Sequence, residues 1–304
     1  MQQRFNVSAS ARTLAVGALT LGTLAALTAC GGGGGDSGGG TPTATVTAMV
    51  ASATKYGATA TITINGTGLD STLAVTSPVC TGMALQAGST ATSATYNCTV
   101  SGGLTGTVTA KSNGTQVAHT TITVPAPIVR MSVNNGLSAV GDVFITLAPD
   151  KAPKTVDNFL HYVNTGFYDN TVFHRIVANF IMQGGGYAPQ ITSVASATPK
   201  AGLFAPIAVE ASTLSNVSGT ISMANANPPG VDNITTAAQF FFNLVDNSAS
   251  LDHGYPAFGT ITGGATVVQA ILTAPATCYY NSAAKSTDCL PVPNAVISSA
   301  TQTQ

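Results

Sequence analysis

The sequence predicts a mainly β chain in two folded units, a small N-terminal β-sandwich and a larger strand-rich unit behind it. Three observations carry this. Alternating runs such as Ala58-Thr59-Ala60-Thr61-Ile62-Thr63-Ile64 recur with turn residues at about every tenth position, the pattern of short, half-buried strands. Charged residues make up only 7% of the chain, against about 25% in an average soluble protein. That poverty excludes a nucleic-acid binder or a long helical bundle, both of which need many Lys, Arg or Glu. Pro125-Ala126-Pro127 then interrupts the pattern, and a length of 304 residues leaves room for roughly two domains.

Ahead of the first unit, Arg4 and Arg12 form a positive start and Thr13 to Ala26 is apolar and free of charge. The run is shorter than the about 20 residues a spanning helix needs, so residues 1–29 read as an export signal. It ends in Leu27-Thr28-Ala29-Cys30, which resembles a bacterial lipobox and implies cleavage before Cys30 and acylation of that cysteine. Acyl chains, at about 0.8 kcal/mol per buried methylene, would hold the protein on a membrane. Gly31, where an aspartate would retain a lipoprotein in the inner membrane, directs the expectation to the outer membrane of a bacterial envelope, facing the periplasm. Residues 30–41 hold the acylated cysteine and a glycine-rich tether, with no apolar side chain to offset the entropy of ordering glycine and a reach of about 15–20 Å. Loss of residues 1–29 removes two of the ten basic residues and none of the eleven acidic ones, leaving a net charge of about −3 and no basic patch for nucleic acid.

Residues 42–125 are expected to form the sandwich, immunoglobulin-like in the loose sense. After the Ala58–Ile64 run, Asn65-Gly66-Thr67-Gly68 reads as a turn, and Leu73-Ala74-Val75, Ala94 to Val100, Gly106 to Ala110 and Val117 to Val124 as further strands. Cys80 and Cys98, in an oxidising compartment, are expected to pair, which would contribute about 3 kcal/mol in the chain-entropy account. His119 reads as a solvated strand residue, because no second ligand stands at metal-binding spacing.

In residues 127–304 the strands come first. Val129-Arg130-Met131-Ser132-Val133 and Val143-Phe144-Ile145-Thr146-Leu147 pair across an Asn/Gly turn. The period then becomes helical: Pro153 suits a first turn, Val156, Phe159, Leu160 and Val163 lie on one face, and Gly166 stops the helix. Ala265 to Leu272 reads as a second helix and Asn294 to Ser299 as a closing strand.

Several stretches of this unit, in order, resemble the cyclophilins. Phe173 to Gly186, F-H-R-I-V-A-N-F-I-M-Q-G-G-G, is close to that family's signature, preceded by A-P-K-T-V-D-N-F and Gly166 to Val172. It is followed by Leu214 to Ala224, Gln239-Phe240-Phe241-Phe242-Asn243, Leu251-Asp252 and Tyr255-Pro256-Ala257-Phe258-Gly259. The resemblance spans about Val129 to Ala300 and implies a cyclophilin-like eight-stranded antiparallel β-barrel capped by two helices, acting as a peptidyl-prolyl cis-trans isomerase on proline-containing polypeptides.

Rotation about an X-Pro bond breaks no covalent bond, so no nucleophile, metal or cofactor is called for. It needs a grip on the proline and a donor near the imide nitrogen as amide resonance is lost. The resemblance implies Arg175 as that donor. Phe180, Ile181, Phe241 and Leu251 would form the apolar pocket, Gln183 and Gln239 would position the arginine and a substrate carbonyl, and Ala224 and Asn225 would offer backbone to an extended peptide. Ala178-Asn179 stands where Pro-Gly is common. Ser250 and Tyr255 stand where animal members have a tryptophan and a histidine, and the lost aromatic at Ser250 implies weak cyclosporin binding. Strand alternation points His174 away from Arg175. Cys278 and Cys289, flanking a polar loop, are expected to form a second disulfide. The reading is a monomeric, lipid-anchored isomerase that helps exported proteins fold; the alternative is a non-catalytic envelope lipoprotein that binds proline peptides or serves structure.

Overall fold

The computed structural model describes residues 43–69, 73–193, 197–226 and 234–304. The expected signal peptide, Cys30 and tether lie outside the described residues. The described chain divides between Pro125 and Ala126 into two compact units. No helix among the described residues is long and apolar enough to cross a membrane.

The first unit is built from β1 (Thr45–Ser52), β2 (Thr59–Thr67), β3 (Leu73–Thr76), β4 (Cys80–Leu85), β5 (Ser93–Val100), β6 (Thr105–Ser112) and β7 (Thr115–Thr123). They form two antiparallel sheets, ordered β1-β2-β5-β4 and β3-β6-β7. Alternation works as the sequence suggests: Ala60, Ile62 and Ile64 are wholly buried while the threonines between them are not. The Tyr96 hydroxyl on β5 donates to the Leu73 carbonyl on β3 at 3.1 Å, tying one sheet to the other. Cys80 and Cys98 are disulfide-bonded between β4 and β5. Asn65-Gly66-Thr67 is not the expected turn. Strand β2 runs on to Thr67 opposite Thr45, and Gly66 is there for close approach, since a Cβ would lie 2.0 Å from the Thr45 carbonyl oxygen.

The second unit runs β8 (Ile128–Asn134), β9 (Val140–Leu147), α1 (Pro153–Asn164), β10 (Thr171–Val177), β11 (Ile181–Gly184), β12 (Thr220–Asn225) and β13 (Thr235–Asn243). It continues through α2 (Ser248–Leu251), β14 (Ala257–Gly263), α3 (Ala265–Leu272), β15 (Ala276–Asn281), β16 (Ser286–Pro291) and β17 (Ala295–Gln302). The pairings β11-β13-β12-β14-β9-β8-β17-β10 close on themselves through β10–β11, giving an eight-stranded antiparallel barrel. Helix α1 seals one side: Phe159 sits within 5.0–5.7 Å, ring to ring, of Phe258, Tyr168 and Phe240. Short α2 is a third helix that the periodicity did not announce.

Helix α1 has no side-chain cap of its own, because Ala152 occupies the N-cap position and Pro153 opens the helix. Glu210, from the segment between β11 and β12, supplies it by accepting from the backbone N–H of Thr155 at 2.5 Å and of Lys154 at 3.3 Å. The charge also complements the helix dipole. Glu210→Ala is therefore expected to cost about 1 kcal/mol, read as a fall of about 2–4 °C in Tm. An unchanged melting curve at neutral pH would remove the capping role.

Candidate active site

Which residues face outward on the barrel is decided by alternation and one bulge. Phe240 and Phe242 of β13 turn inward to meet Phe173, at ring distances of 6.0 and 5.6 Å, so Phe241 between them must face out. The register Arg175↔Gln183↔Phe241 extends that outward row across β10 and β11. Uninterrupted alternation would send Arg175 to the same side as Phe173. A bulge between Phe173 and Arg175 reverses the parity, leaving Phe173 in the core and Arg175 on the outer wall.

Beside this row lies an apolar cluster of Val177, Ile181, Ala224, Phe241 and Leu251, with Phe180 and Tyr255 packed against it. The Tyr255 ring meets Phe241 edge-on at 5.7 Å. Phe180 follows a tight turn in which Asn179 takes φ 56 and Phe180 N–H donates to the Val177 carbonyl at 3.1 Å. Asparagine tolerates this left-handed conformation, so Ala178-Asn179 serves where Pro-Gly is common.

Leu251 and Tyr255 come from α2 and the loop after it, which a buried amide network binds to the barrel. Asn243 Nδ2 donates to Asn216 Oδ1 and Thr220 Oγ1 at 3.1 and 2.9 Å. Asn247 Nδ2 donates to the Phe180 carbonyl and Asn243 Oδ1, both at 2.9 Å. Asn216 in turn donates to Asp252 Oδ1 from its backbone N–H at 2.7 Å and to the Tyr255 carbonyl from Nδ2 at 3.0 Å. Asp252 is partly buried, which would raise its pKa, but the bonds from Asn216 win and hold it below the ordinary carboxylate value.

The guanidinium of Arg175 is held on three sides. Its Nε donates to Asp288 Oδ2 at 2.9 Å, Nη1 to Gln183 Oε1 at 3.3 Å and, at 3.5 Å, Nη2 to Ser286 Oγ. Gln183 Nε2 passes the chain on to Gln239 Oε1 at 2.8 Å. Gln239 lies over Gly186, where a Cβ would come within 2.6 Å of its Cγ, and Gly185 takes φ +83 against Phe240 and Tyr168. The glycine run is thus the clearance for the glutamine and for the core. His174, at the bulge, is 2% exposed, its ring 4.7 Å from Tyr187. Burial pushes its pKa down to about 4, aided by the Arg175 charge and opposed by bonds with the Val172 backbone and the Gln239 side chain.

Of the residues singled out in the sequence, Arg175, Gln183 and Gln239 form one hydrogen-bonded chain, and Ile181, Ala224, Phe241, Leu251, Phe180 and Tyr255 form one cluster. Asn225 lies at its edge, with Nδ2 donating to the Gly254 carbonyl at 2.5 Å, and the Ala224 carbonyl accepts from Thr236 Oγ1 at 3.1 Å. Ser250 is not in the cluster; its hydroxyl turns to the Asn247 carbonyl. Cys278 and Cys289 are disulfide-bonded, but they do not flank a loop: they stand opposite each other in the hairpin β15–β16, which adds to the barrel along β10. Sequence reasoning missed Asp288 and the amides of Asn216, Asn243 and Asn247. The contacts that tie them to the rest of the site are distant in the chain: Asp288 meets Arg175 113 positions away, Asn247 meets Phe180 67 away and Asn216 meets Asn243 27 away. No group of three or more potential metal ligands occurs among the described residues.

Barrel and site together set an apolar cluster on the outer wall beside a positively charged guanidinium held by hydrogen bonds. Residues 128–301 match the family described as cyclophilin type peptidyl-prolyl cis-trans isomerase. The chain is 40% identical over 143 residues to peptidyl-prolyl cis-trans isomerase cyp18 of Streptomyces antibioticus, covering 44% of this chain and 79% of that protein. Against peptidyl-prolyl cis-trans isomerase B of Escherichia coli it is 40% identical over 139 residues, covering 43% and 78%. Against the peptidyl-prolyl cis-trans isomerase of Acinetobacter baylyi the identity is 39% over 145 residues, covering 46% and 71%. The chain belongs to the cyclophilin family and is a peptidyl-prolyl cis-trans isomerase.

Proposed function

We propose that Arg175 is the catalytic group of this isomerase and that the enzyme works in the bacterial cell envelope on exported proteins. The observation that carries the catalytic part is the row Arg175–Gln183–Phe241, which sets a forked cation beside an apolar pocket. A substrate proline ring enters the pocket of Phe180, Ile181, Phe241, Leu251 and Tyr255. The peptide on either side lies extended along Ala224 and Asn225, whose backbone it meets as an added strand would. As the X-Pro bond twists, resonance is lost and the imide nitrogen regains its lone pair. A guanidinium N–H donated to that nitrogen is stronger in the twisted state than in either planar one, which is what lowers the barrier. Gln183 keeps the fork aimed and, with Gln239, steadies the substrate carbonyl. A barrel that merely held proline segments would have no use for that fork.

The envelope part rests on Cys30 in its lipobox context and on two disulfides, Cys80–Cys98 and Cys278–Cys289, which persist in oxidising compartments. Cys30 is the anchor, residues 31–41 the tether, and residues 42–125 an immunoglobulin-like spacer or contact module. The protein acts as a monomer on proline-containing chains at the outer membrane and binds no nucleic acid. The test has two arms. Refolding of a denatured exported protein whose slow phase is set by X-Pro isomerisation should accelerate in proportion to added enzyme. In cells, Cys30→Ser should move the protein from the membrane to the soluble fraction. No acceleration, or a membrane-bound Cys30→Ser protein, would overturn the corresponding half.

A further inference from the structure

We infer that the disulfide-closed hairpin β15–β16 belongs to the catalytic machinery, with Asp288 as the positioning residue that fixes the guanidinium of Arg175. The inference rests on Arg175 as the catalytic group. Three observations carry it.

The barrel does not need the hairpin. Its eight strands close through β10–β11 and β10–β17, and β16 attaches to β10 only at Ile176↔Cys289 and Val177↔Asp288. Those two pairs lie directly beside Arg175, and they place Asp288 on the same outward face as Val177 of the apolar cluster.

Asp288 is also built in. It is 1% exposed, and a carboxylate so buried persists as a charge only when paired and hydrogen-bonded. It accepts from Arg175 Nε at 2.9 Å, from Asn281 Nδ2 at 3.0 Å and from Ser286 Oγ at 2.7 Å. Two of those partners come from the hairpin itself, and Cys289, next to Asp288, is bonded to Cys278 directly across the pair. The carboxylate is therefore fixed before any substrate arrives.

The fork is held from behind. Arginine has five N–H donors. Asp288 takes Nε, Ser286 faces Nη2 and Gln183 faces Nη1, so among the described contacts one N–H on each Nη is left for a substrate. A free arginine side chain must lose rotamer entropy at the moment of reaction; here that ordering precedes binding. A positioning role of this kind acts on turnover and leaves the proline pocket, and hence KM, almost unchanged.

The test is a double-mutant cycle on the full chain, using an Ala-Pro peptide and an exchange measurement that separates kcat from KM. Asp288→Asn keeps shape and loses charge. It is expected to lower kcat about 10-fold with KM changed less than about 2-fold. In an Arg175→Ala background the same substitution should change nothing further. Asn281→Ala, which loosens Asp288 without touching Arg175, should lower kcat about 2- to 3-fold and covers the case that Asp288→Asn fails to fold. If Arg175→Ala loses activity while Asp288→Asn and Asn281→Ala do not, the positioning role falls and Arg175 stands. If Asp288→Asn costs as much without Arg175 as with it, Asp288 serves the fold and the inference is overturned. If Arg175→Ala itself loses nothing, the catalytic reading of Arg175 fails and this inference with it.

Discussion

Arg175→Ala is expected to lower kcat/KM on an Ala-Pro peptide about 100-fold, and Arg175→Lys about 10-fold. The estimate follows from what a preorganised, charged donor contributes to a transition state in a partly dry site, where removal of one donor costs about 10²- to 10³-fold. The lower end applies here because the fork has an 18% exposed side chain and solvent screens part of the charge. The two substitutions differ in a second way. Alanine leaves Asp288 buried without its cation, so Arg175→Ala should also lower Tm. Lysine keeps a positive charge within reach of Asp288 but cannot reproduce the fork that meets Asp288, Gln183 and Ser286 together, so it should keep most of the stability while losing turnover. A protease-coupled or exchange assay read beside a melting curve separates the two effects. A kcat/KM for Arg175→Ala within about 2-fold of wild type would remove the arginine from the mechanism.

The elements legible in the sequence were those whose information is local. Pro153, the apolar face Val156–Val163 and Gly166 define α1 from within, and the structure starts the helix at Pro153 and turns at Gly166 with φ +69. The Ala265–Leu272 helix and the paired strands around Asn134-Asn135-Gly136 are of the same kind, the turn being held by Asn135 Oδ1 accepting from Leu137 and Ala139 N–H. Most residues of the apolar cluster and of the Arg175–Gln183–Gln239 chain could be singled out too, because they sit in short segments with a fixed order. What escaped depends on register. The parity switch at His174 has no composition signal, since a bulge is a relation between two strands. Gly66 looks like a turn residue and serves a strand contact. Asp288 is one polar residue in a polar stretch until β16 is laid against β10, and only then does it meet a residue 113 positions earlier.

His174 should make the stability of the second unit depend on pH in a window that Asp252 and Asp288 do not share. In the folded chain burial holds the ring near a pKa of about 4, whereas an exposed histidine titrates near about 6.5. Above that value both states carry a neutral imidazole and the residue contributes no pH dependence. Between about 6.5 and 4 the unfolded chain binds a proton that the folded chain refuses, so stability falls as pH falls, by a total of about 3 kcal/mol once both states are protonated. Asp288 and Asp252 shift the other way: their folded pKa values lie below the ordinary 3.8, so their contribution is lost only at more acid pH, after the histidine term is spent. The groups facing the imidazole are the Val172 backbone, the Gln239 side chain, the Arg175 charge and the Tyr187 ring, and none is a carboxylate that would welcome the proton. His174→Phe keeps a ring against Tyr187 and cannot titrate. Urea unfolding at pH 7 and pH 4 should then show wild type losing about 3 kcal/mol more than the variant between the two conditions; equal losses would contradict the assignment. Because Gln239 joins His174 to Gln183 and so to Arg175, a protonated imidazole also places a second positive charge behind the Arg175 guanidinium. Because the folded chain takes up that proton only near pH 4, turnover should hold through the interval where stability falls and decline only as pH drops through about 4, and that decline should flatten in His174→Phe.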